Sequence, residues 1–491
     1  MCDGVNNSRA TTAVNLLQRD RLASVNQTLV CWSYGWSFLQ GRGLTEVRIS
    51  LLAVMFLVVG GAAGAQTESF FSVPSADAPE LAQRGAYSVG VRTLEIKNPN
   101  QVDILNFDKS TGKAPLYDRP LKIEVWYPAT IPAGAQERTL YVMGFPSGGK
   151  GFESAPKTVE VPGKALRDAP PVKGSQFPLV VVSHGYPGSR YFLTYLSENL
   201  ASKGYVVAAI DHTDSVFGAE KAFQSTLLNR ANDQLFTVDA LEELAGHAGH
   251  FLNGLVDSKH VAIVGYSMGG YGALASAGAG YSATSMGHGF VPGGYFADWE
   301  AGSPKYQARL RKEVQAVVAI SPWGSQPPYS AWDAAGLAGI HIPMLVIAGD
   351  QDDVSDYANG IKPAFDKAVH SDRCMLVYEN ARHNVGGNPA PAEALSSFVT
   401  REFFEEPAWR KDRITAINQH FITAFLDLTL KGDESKRAYL HVAPEKSNDG
   451  KWPLPQGASV GAKFSEGADY WKGFQRRWAL GLEMHCSAAI Q

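Results

Sequence analysis

Residues 260–270 read HVAIVGYSMGG. An apolar run at 260–264 has the composition of a buried strand, and it enters Gly265-x-Ser267-x-Gly269 directly. The small residues of 268–279 then continue as a helix. A serine on so tight a strand-to-helix turn needs residues without bulk two positions away on each side. The turn pushes Oγ out above the sheet, and the following helix aims its first N–H groups and positive dipole end at any oxyanion that develops there. This context makes Ser267 a candidate nucleophile. The alternative is an ordinary N-capping serine.

Outward from that turn, strand and helix patterns alternate. Continuous apolar runs at 177–183, 205–210, 314–320, 342–348 and 374–378 fit strands covered on both faces. Helical patterns lie at 191–203, 229–252, 357–369 and 413–430. Two β-like runs, 87–97 and 121–127, precede them, and a Pro/Gly-rich loop is expected over much of 128–176. The fold class is therefore α/β, with a mostly parallel central sheet and helices on both faces. Two long irregular stretches, 280–311 and 323–339, are expected to act as lids. After Gly432 only 470–482 has a pattern, that of one more strand or a short helix. The expected organisation is one catalytic domain over 66–491, with its core at about 86–430, a lid-like insertion at 280–311 and a C-terminal extension at 432–491.

Of 491 residues, 45% are apolar, so there is ample material for a core. Lys plus Arg number 44 and Asp plus Glu 48, a net charge of −4. No basic excess or basic run points to nucleic acid. Residues 49–59 (ISLLAVMFLVV) form an uncharged apolar run after Arg48, followed by the small residues 60–65 (GGAAGA). This order is that of a signal peptide, expected at 47–65 with cleavage before Gln66. The run is shorter than the roughly 20 residues of a bilayer span, so no lasting membrane anchor is expected. Residues 1–46 are expected to be over-called upstream sequence. Beyond Gln66 the cysteines are Cys374 and Cys486. In an exported protein such a pair forms a disulfide or remains as two buried thiols.

A serine hydroxyl is a weak nucleophile without a base, and here the acid and then the base should follow it in the chain. The run at 342–348 ends in Gly349-Asp350-Gln351-Asp352-Asp353. Asp352 sits where the chain has cleared the strand and can turn inward; Asp353 and then Asp350 are the alternatives. Five histidines follow: His370, His383, His420, His441 and His485. His383 alone is placed just past a strand at the sheet's C-terminal edge, so it is the candidate base. Ser183-His184-Gly185-Tyr186-Pro187-Gly188 ends the run at 177–183. The N–H groups of Tyr186 and Met268 are the candidate oxyanion donors, and His184 is read as structural. No H-E-x-x-H or C-x-x-C occurs, and no metal or cofactor is implied.

The segments 184–188 (HGYPG), 265–270 (GYSMGG) and 349–352 (GDQD), with His383 after them, resemble the α/β-hydrolase fold in this order. Within it the chain is similar to the cutinase, polyester-hydrolase, platelet-activating-factor acetylhydrolase and dienelactone-hydrolase-like group. Residues 200–211 (LASKGYVVAAID) and 266–274 (YSMGGYGAL) carry that likeness. It implies an exported serine esterase for a small-molecule or polymer ester, with Tyr186 and Trp323 gripping the acyl group. A peptidase, amidase or lactonase on the same residues is the alternative, and a non-catalytic binding protein on a hydrolase fold is a second. Ser267 stands where dienelactone hydrolases have cysteine, and epoxide hydrolases and dehalogenases require aspartate there.

Overall fold

The apolar runs become the middle of a ten-stranded sheet in the computed structural model. It describes residues 74–146, 151–153, 155–452, 457 and 470–490, all within one compact unit, Ala65–Gln491. The expected upstream segment 1–46 and signal peptide 47–65 lie outside the described residues. The strands are β1 (Ser88–Val102), β2 (Leu116–Ala129), β3 (Thr139–Gly144), β4 (Thr158–Gly163), β5 (Leu166–Arg167), β6 (Phe177–Ser183), β7 (Val206–Asp211), β8 (Val256–Tyr266), β9 (Val314–Ile320), β10 (Met344–Gly349), β11 (Arg373–Tyr378) and β12 (Leu482–Ser487). The large sheet runs β12-β11-β10-β9-β8-β6-β7-β2-β1-β5, and β3 pairs with β4 in a separate hairpin. From β7 through β11 the neighbours are parallel, while β2 on β7, β1 on β2 and β12 on β11 are antiparallel. With Ser267 on a strand–turn–helix at its centre, this is the α/β-hydrolase fold.

Alternate strand residues feed two cores. Val180 and Val182 of β6 pack with helix α1 (Thr194–Ser202) and the helix Lys411–Leu430 on one face. Leu179 and Val181 pack with α2 (Phe223–Gly246) and α3 (Met268–Ser276) on the other. Burial of one such Val or Leu side chain contributes about 1.5–3 kcal/mol, so the pattern sets which face each helix must cover. The C-terminal ends of β6, β8, β9, β10 and β11 share one edge, the edge where sites form in such sheets. Among the described residues no helix is long and apolar enough to cross a membrane.

Several expectations shift. The helix expected at 229–252 forms earlier, as Phe223–Gly246. Beyond it Gly249 and Gly254 take φ of 91° and 72°, and Phe251 packs 5.2 Å from the Tyr127 ring and 4.6 Å beneath Arg92. Within the expected loop 128–176 lie β3, β4 and β5; Tyr141 and Met143 face inward while Leu140 and Val142 are exposed. The insertion 280–311 is wedged into the core rather than lying over it, with Tyr281, Phe296, Trp299 and Tyr306 buried. Tyr281 stacks on Phe296 at 4.5 Å. The segment 470–482 is mostly turn, and the extra strand lies just after it as β12. There Cys486 sits opposite Cys374 of β11, and the two form a disulfide.

Candidate active site

Ser267, between β8 and α3, takes φ 53° and ψ −114°, a positive-φ conformation rare for a side-chain-bearing residue. Its amide donates to the Ile320 carbonyl at 2.8 Å, and its carbonyl accepts from the Trp323 amide at 3.1 Å, so the end of β9 and the loop after it hold the strained turn on both sides. The flanking glycines are required by contact. A Cβ on Gly265 would lie 2.1 Å from the Gly269 carbonyl oxygen, and one on Gly269 would lie 2.0 Å from that of Ser183.

His383, on the loop after β11, approaches this serine with its Nε2 3.0 Å from Ser267 Oγ. Its Nδ1 lies 2.9 Å from Asp352 Oδ2 and 3.1 Å from Oδ1. With Nδ1–H given to the carboxylate, Nε2 is left to accept from the serine. Asp352 is itself held, its Oδ1 accepting the amides of Val354 at 3.0 Å and Ser355 at 2.8 Å. The competing carboxylates are spent elsewhere. Asp350 accepts the Asn380 amide at 2.7 Å, and Asp356 caps the turn at Asn359. Asp353 pairs with Arg382, whose hydrogen bond and charge hold its carboxyl below the usual range. Among the other histidines, His420 is buried in the helix Lys411–Leu430. His370 lies beside His341, and His485 bonds Glu483.

The loop after β6 lies against Ser267: a Cβ on Gly185 would sit 3.3 Å from Ser267 Cβ. The Gly185 carbonyl, which belongs to the peptide carrying the Tyr186 N–H, is turned inward. His184 Nδ1 donates to it at 2.7 Å and Arg230 Nη2 at 3.4 Å. The His212 amide donates to His184 Nε2 at 3.3 Å, which fixes the tautomer with the proton on Nδ1. In a trans peptide the N–H points opposite the carbonyl, so the Tyr186 N–H faces away from the interior. Met268, the other expected donor, is the first residue of α3. Burial, with the charge of Arg230 behind it, pushes His184 well below the ordinary histidine range and keeps it neutral. Arg230 Nη1 also ties down the His184 carbonyl at 2.7 Å.

Behind this loop lies a second Ser–His–Asp set that sequence reading missed. Ser183 Oγ is 2.8 Å from His212 Nε2, and His212 Nδ1 is 2.9 Å from Asp233. Arg119 clasps Asp233 at 2.8 and 3.0 Å. All four are at most 2% exposed, so no substrate reaches them and the set serves as internal bracing. Nothing local in the sequence joins Ser183 to residues 29 and 50 positions away, although His212 ending the run at 205–210 was a visible signal.

A cavity of about 310 Å³ opens over Ser267 and His383, with Tyr186, Phe192, Val399 and Phe403 in its wall. Trp323 is not among its lining residues. Its ring packs 5.4 Å from Phe223 and 4.5 Å from Tyr329. Tyr186 reaches the cavity with its hydroxyl bonded to the Lys221 carbonyl at 3.0 Å.

Residues 168–288, which include Tyr186 and Ser267, match the family model described as PET hydrolase-like. The chain is similar to the cutinase and polyester-hydrolase group. Cutinase est1 of Thermobifida alba is 23% identical over 214 residues, 43% of this chain and 55% of that one. A bis(hydroxyethyl) terephthalate hydrolase of Streptomyces coelicolor is 24% identical over 208 residues, 42% of this chain and 50% of that one. The chain spans between half and just under two thirds of the curated cutinases and polyester hydrolases it matches. A solved ferulic acid esterase from Streptomyces cinnamoneus aligns over 74% of this chain and 93% of its own, at 20% identity and a TM-score of 0.47.

Proposed function

We propose that this protein is an exported carboxylic ester hydrolase that works through an acyl-enzyme on Ser267. His383 takes the Ser267 proton as Oγ attacks the ester carbonyl, then delivers it to the leaving alcohol. Asp352 holds the imidazole in the required tautomer and offsets its charge once protonated. The N–H groups of Tyr186 and Met268 receive the oxyanion. Water, activated by the same histidine, releases the acid. The observation that carries this reading is the hydrogen-bonded chain Ser267–His383–Asp352, with links of 3.0 and 2.9 Å, beneath a cavity. The cutinase and bis(hydroxyethyl) terephthalate hydrolase relatives favour an ester, the second of them an ester of an aromatic acid. Tyr186 and Phe192 in the wall suit a flat or apolar acyl group. Export is proposed from the signal-like order of residues 47–65 alone, with a mature chain from Gln66.

The test is labelling with a fluorophosphonate, together with turnover of p-nitrophenyl esters and the matching anilides. Wild type should label at Ser267 and turn over esters. Ser267→Ala should not label and should lose about three orders of magnitude or more in kcat, as members of such a unit do. Absence of labelling in the wild type, or near wild-type turnover by Ser267→Ala, removes the assignment. Faster anilide than ester turnover moves the protein to the amidases.

A further inference from the structure

Glu406 lies 23 residues beyond His383 in the chain, after an excursion through 387–405, yet its carboxylate returns to the base. Glu406 Oε2 accepts the Arg382 amide at 2.7 Å, and Oε1 accepts the Asn384 amide at 2.5 Å. These are the two backbone N–H groups that flank His383. Lys411 Nζ bonds the Asn384 carbonyl. The His383 carbonyl accepts from Ser321 Oγ at 3.2 Å and Tyr266 Oη at 3.4 Å. The Arg382 and Asn384 N–H groups and the His383 and Asn384 carbonyls are therefore each tied to a side chain from outside this loop. Glu406 is 6% and Lys411 4% exposed. Burial pushes the Glu406 carboxyl up and Lys411 down to about 8, so the pair is held out of water against an electrostatic cost. Two buried ionisable side chains that converge on the backbone around His383, one of which also borders the cavity, call for a reason beyond packing.

We propose that Glu406, backed by Lys411, is a positioning residue for the catalytic histidine: its two carboxylate oxygens fix the backbone on both sides of His383 and so set the imidazole between Ser267 and Asp352. This rests on the reading of His383 as the base. Two acceptor oxygens are required, because both targets are N–H donors. Glutamine has the same shape but turns an NH2 group toward one of them, donor against donor. Loss of the clamp lets the imidazole wander by a fraction of an ångström, and displacements near 1 Å cost up to about 100-fold in rate.

The experiment measures kcat and KM for a short p-nitrophenyl ester in Glu406→Gln and Lys411→Met, with the active-site concentration of each sample titrated to completion by a fluorophosphonate. Expected for Glu406→Gln is a fall in kcat per active site of about 10- to 100-fold with KM within threefold of wild type. Lys411→Met should lose less, about 3- to 10-fold, because one anchor on Asn384 survives. A role in packing alone predicts the reverse for the isosteric glutamine: fewer active sites or a lower Tm, with wild-type kcat per site. That result overturns the proposal. If Glu406→Gln yields no folded protein, Lys411→Met decides by the same criterion. A wild type that fails to label at Ser267 instead overturns the reading of the triad, so the two failures are distinguishable.

Discussion

Four carboxylates fall within seven residues at Asp350, Asp352, Asp353 and Asp356, and each is committed to a different partner. Charge does not select among them; direction does. Asp352 is the one whose side chain is sealed from solvent, pinned by two amides and aimed at His383. Asp352→Asn keeps the shape but turns a donor toward Nδ1 and forces the wrong tautomer, so kcat should fall by about three to four orders of magnitude. Asp350→Asn and Asp353→Asn remove only an exposed loop bond and an exposed ion pair, and each should stay within a few-fold of wild type. Parallel kcat determinations on the three variants check this, and equal small effects would displace Asp352 from its role. The same logic explains why Ser183, His212 and Asp233 are no second site: their hydrogen bonds are as short, but the substrate has no path to them.

At the scale of elements, the turn at Ser267 is where a strand, a helix and the neighbouring β6 approach so closely that no side-chain carbon fits. Gly269→Ala places Cβ 2.0 Å from the Ser183 carbonyl oxygen, at the root of the loop that carries Gly185 and Tyr186. Backbone must move, and overpacking of this kind costs about 1–3 kcal/mol or more. Gly246→Ala is the contrasting case, since a Cβ there meets nothing within 4 Å and the residue ends a helix. It should be neutral or stabilising by up to about 1 kcal/mol. Thermal melts of the two variants should separate clearly, with activity lost only in the first. Strands β6 through β11 and the turn at Ser267 were legible because buried parallel strands leave unbroken apolar runs and the turn demands glycine. The hairpin β3–β4 was not, because one face is exposed and glycines and prolines surround it. Strand β12, Leu-Glu-Met-His-Cys-Ser, is an edge strand of mixed character that takes its register from β11. That Ser267, His383 and Asp352 would come together could be read because each follows a strand end. Glu406 could not, since its partners lie 22 and 24 residues away and only the folded chain brings them together.

Across the whole compact unit, one covalent bond encloses most of the parts that present His383. Cys374 and Cys486 are 112 residues apart in sequence. Between them lie the end of β11, the His383 loop, Glu406, the helix Lys411–Leu430 and the turn into β12. The bond joins the last two strands of the sheet directly across their pairing, so the edge strand cannot peel away from the strand that leads to His383. In the chain-entropy model a loop of this length is worth about 4–5 kcal/mol, though native disulfides in practice give about 2–5. For a unit as large as Ala65–Gln491 each kcal/mol moves Tm by roughly 1 °C. Reduction of the folded protein, or Cys486→Ser, should therefore lower Tm by about 2–6 °C. The catalytic parts themselves are held by hydrogen bonds that do not involve sulfur, so kcat per active site at 25 °C should stay close to wild type. Calorimetry with and without reductant, alongside fluorophosphonate titration, reads both quantities. An unchanged Tm would mean that β12 is held by its sheet pairing alone. A fall in kcat per site with the fold intact would mean that strain at the sheet edge reaches His383, and that the edge strand belongs to the machinery that positions the base.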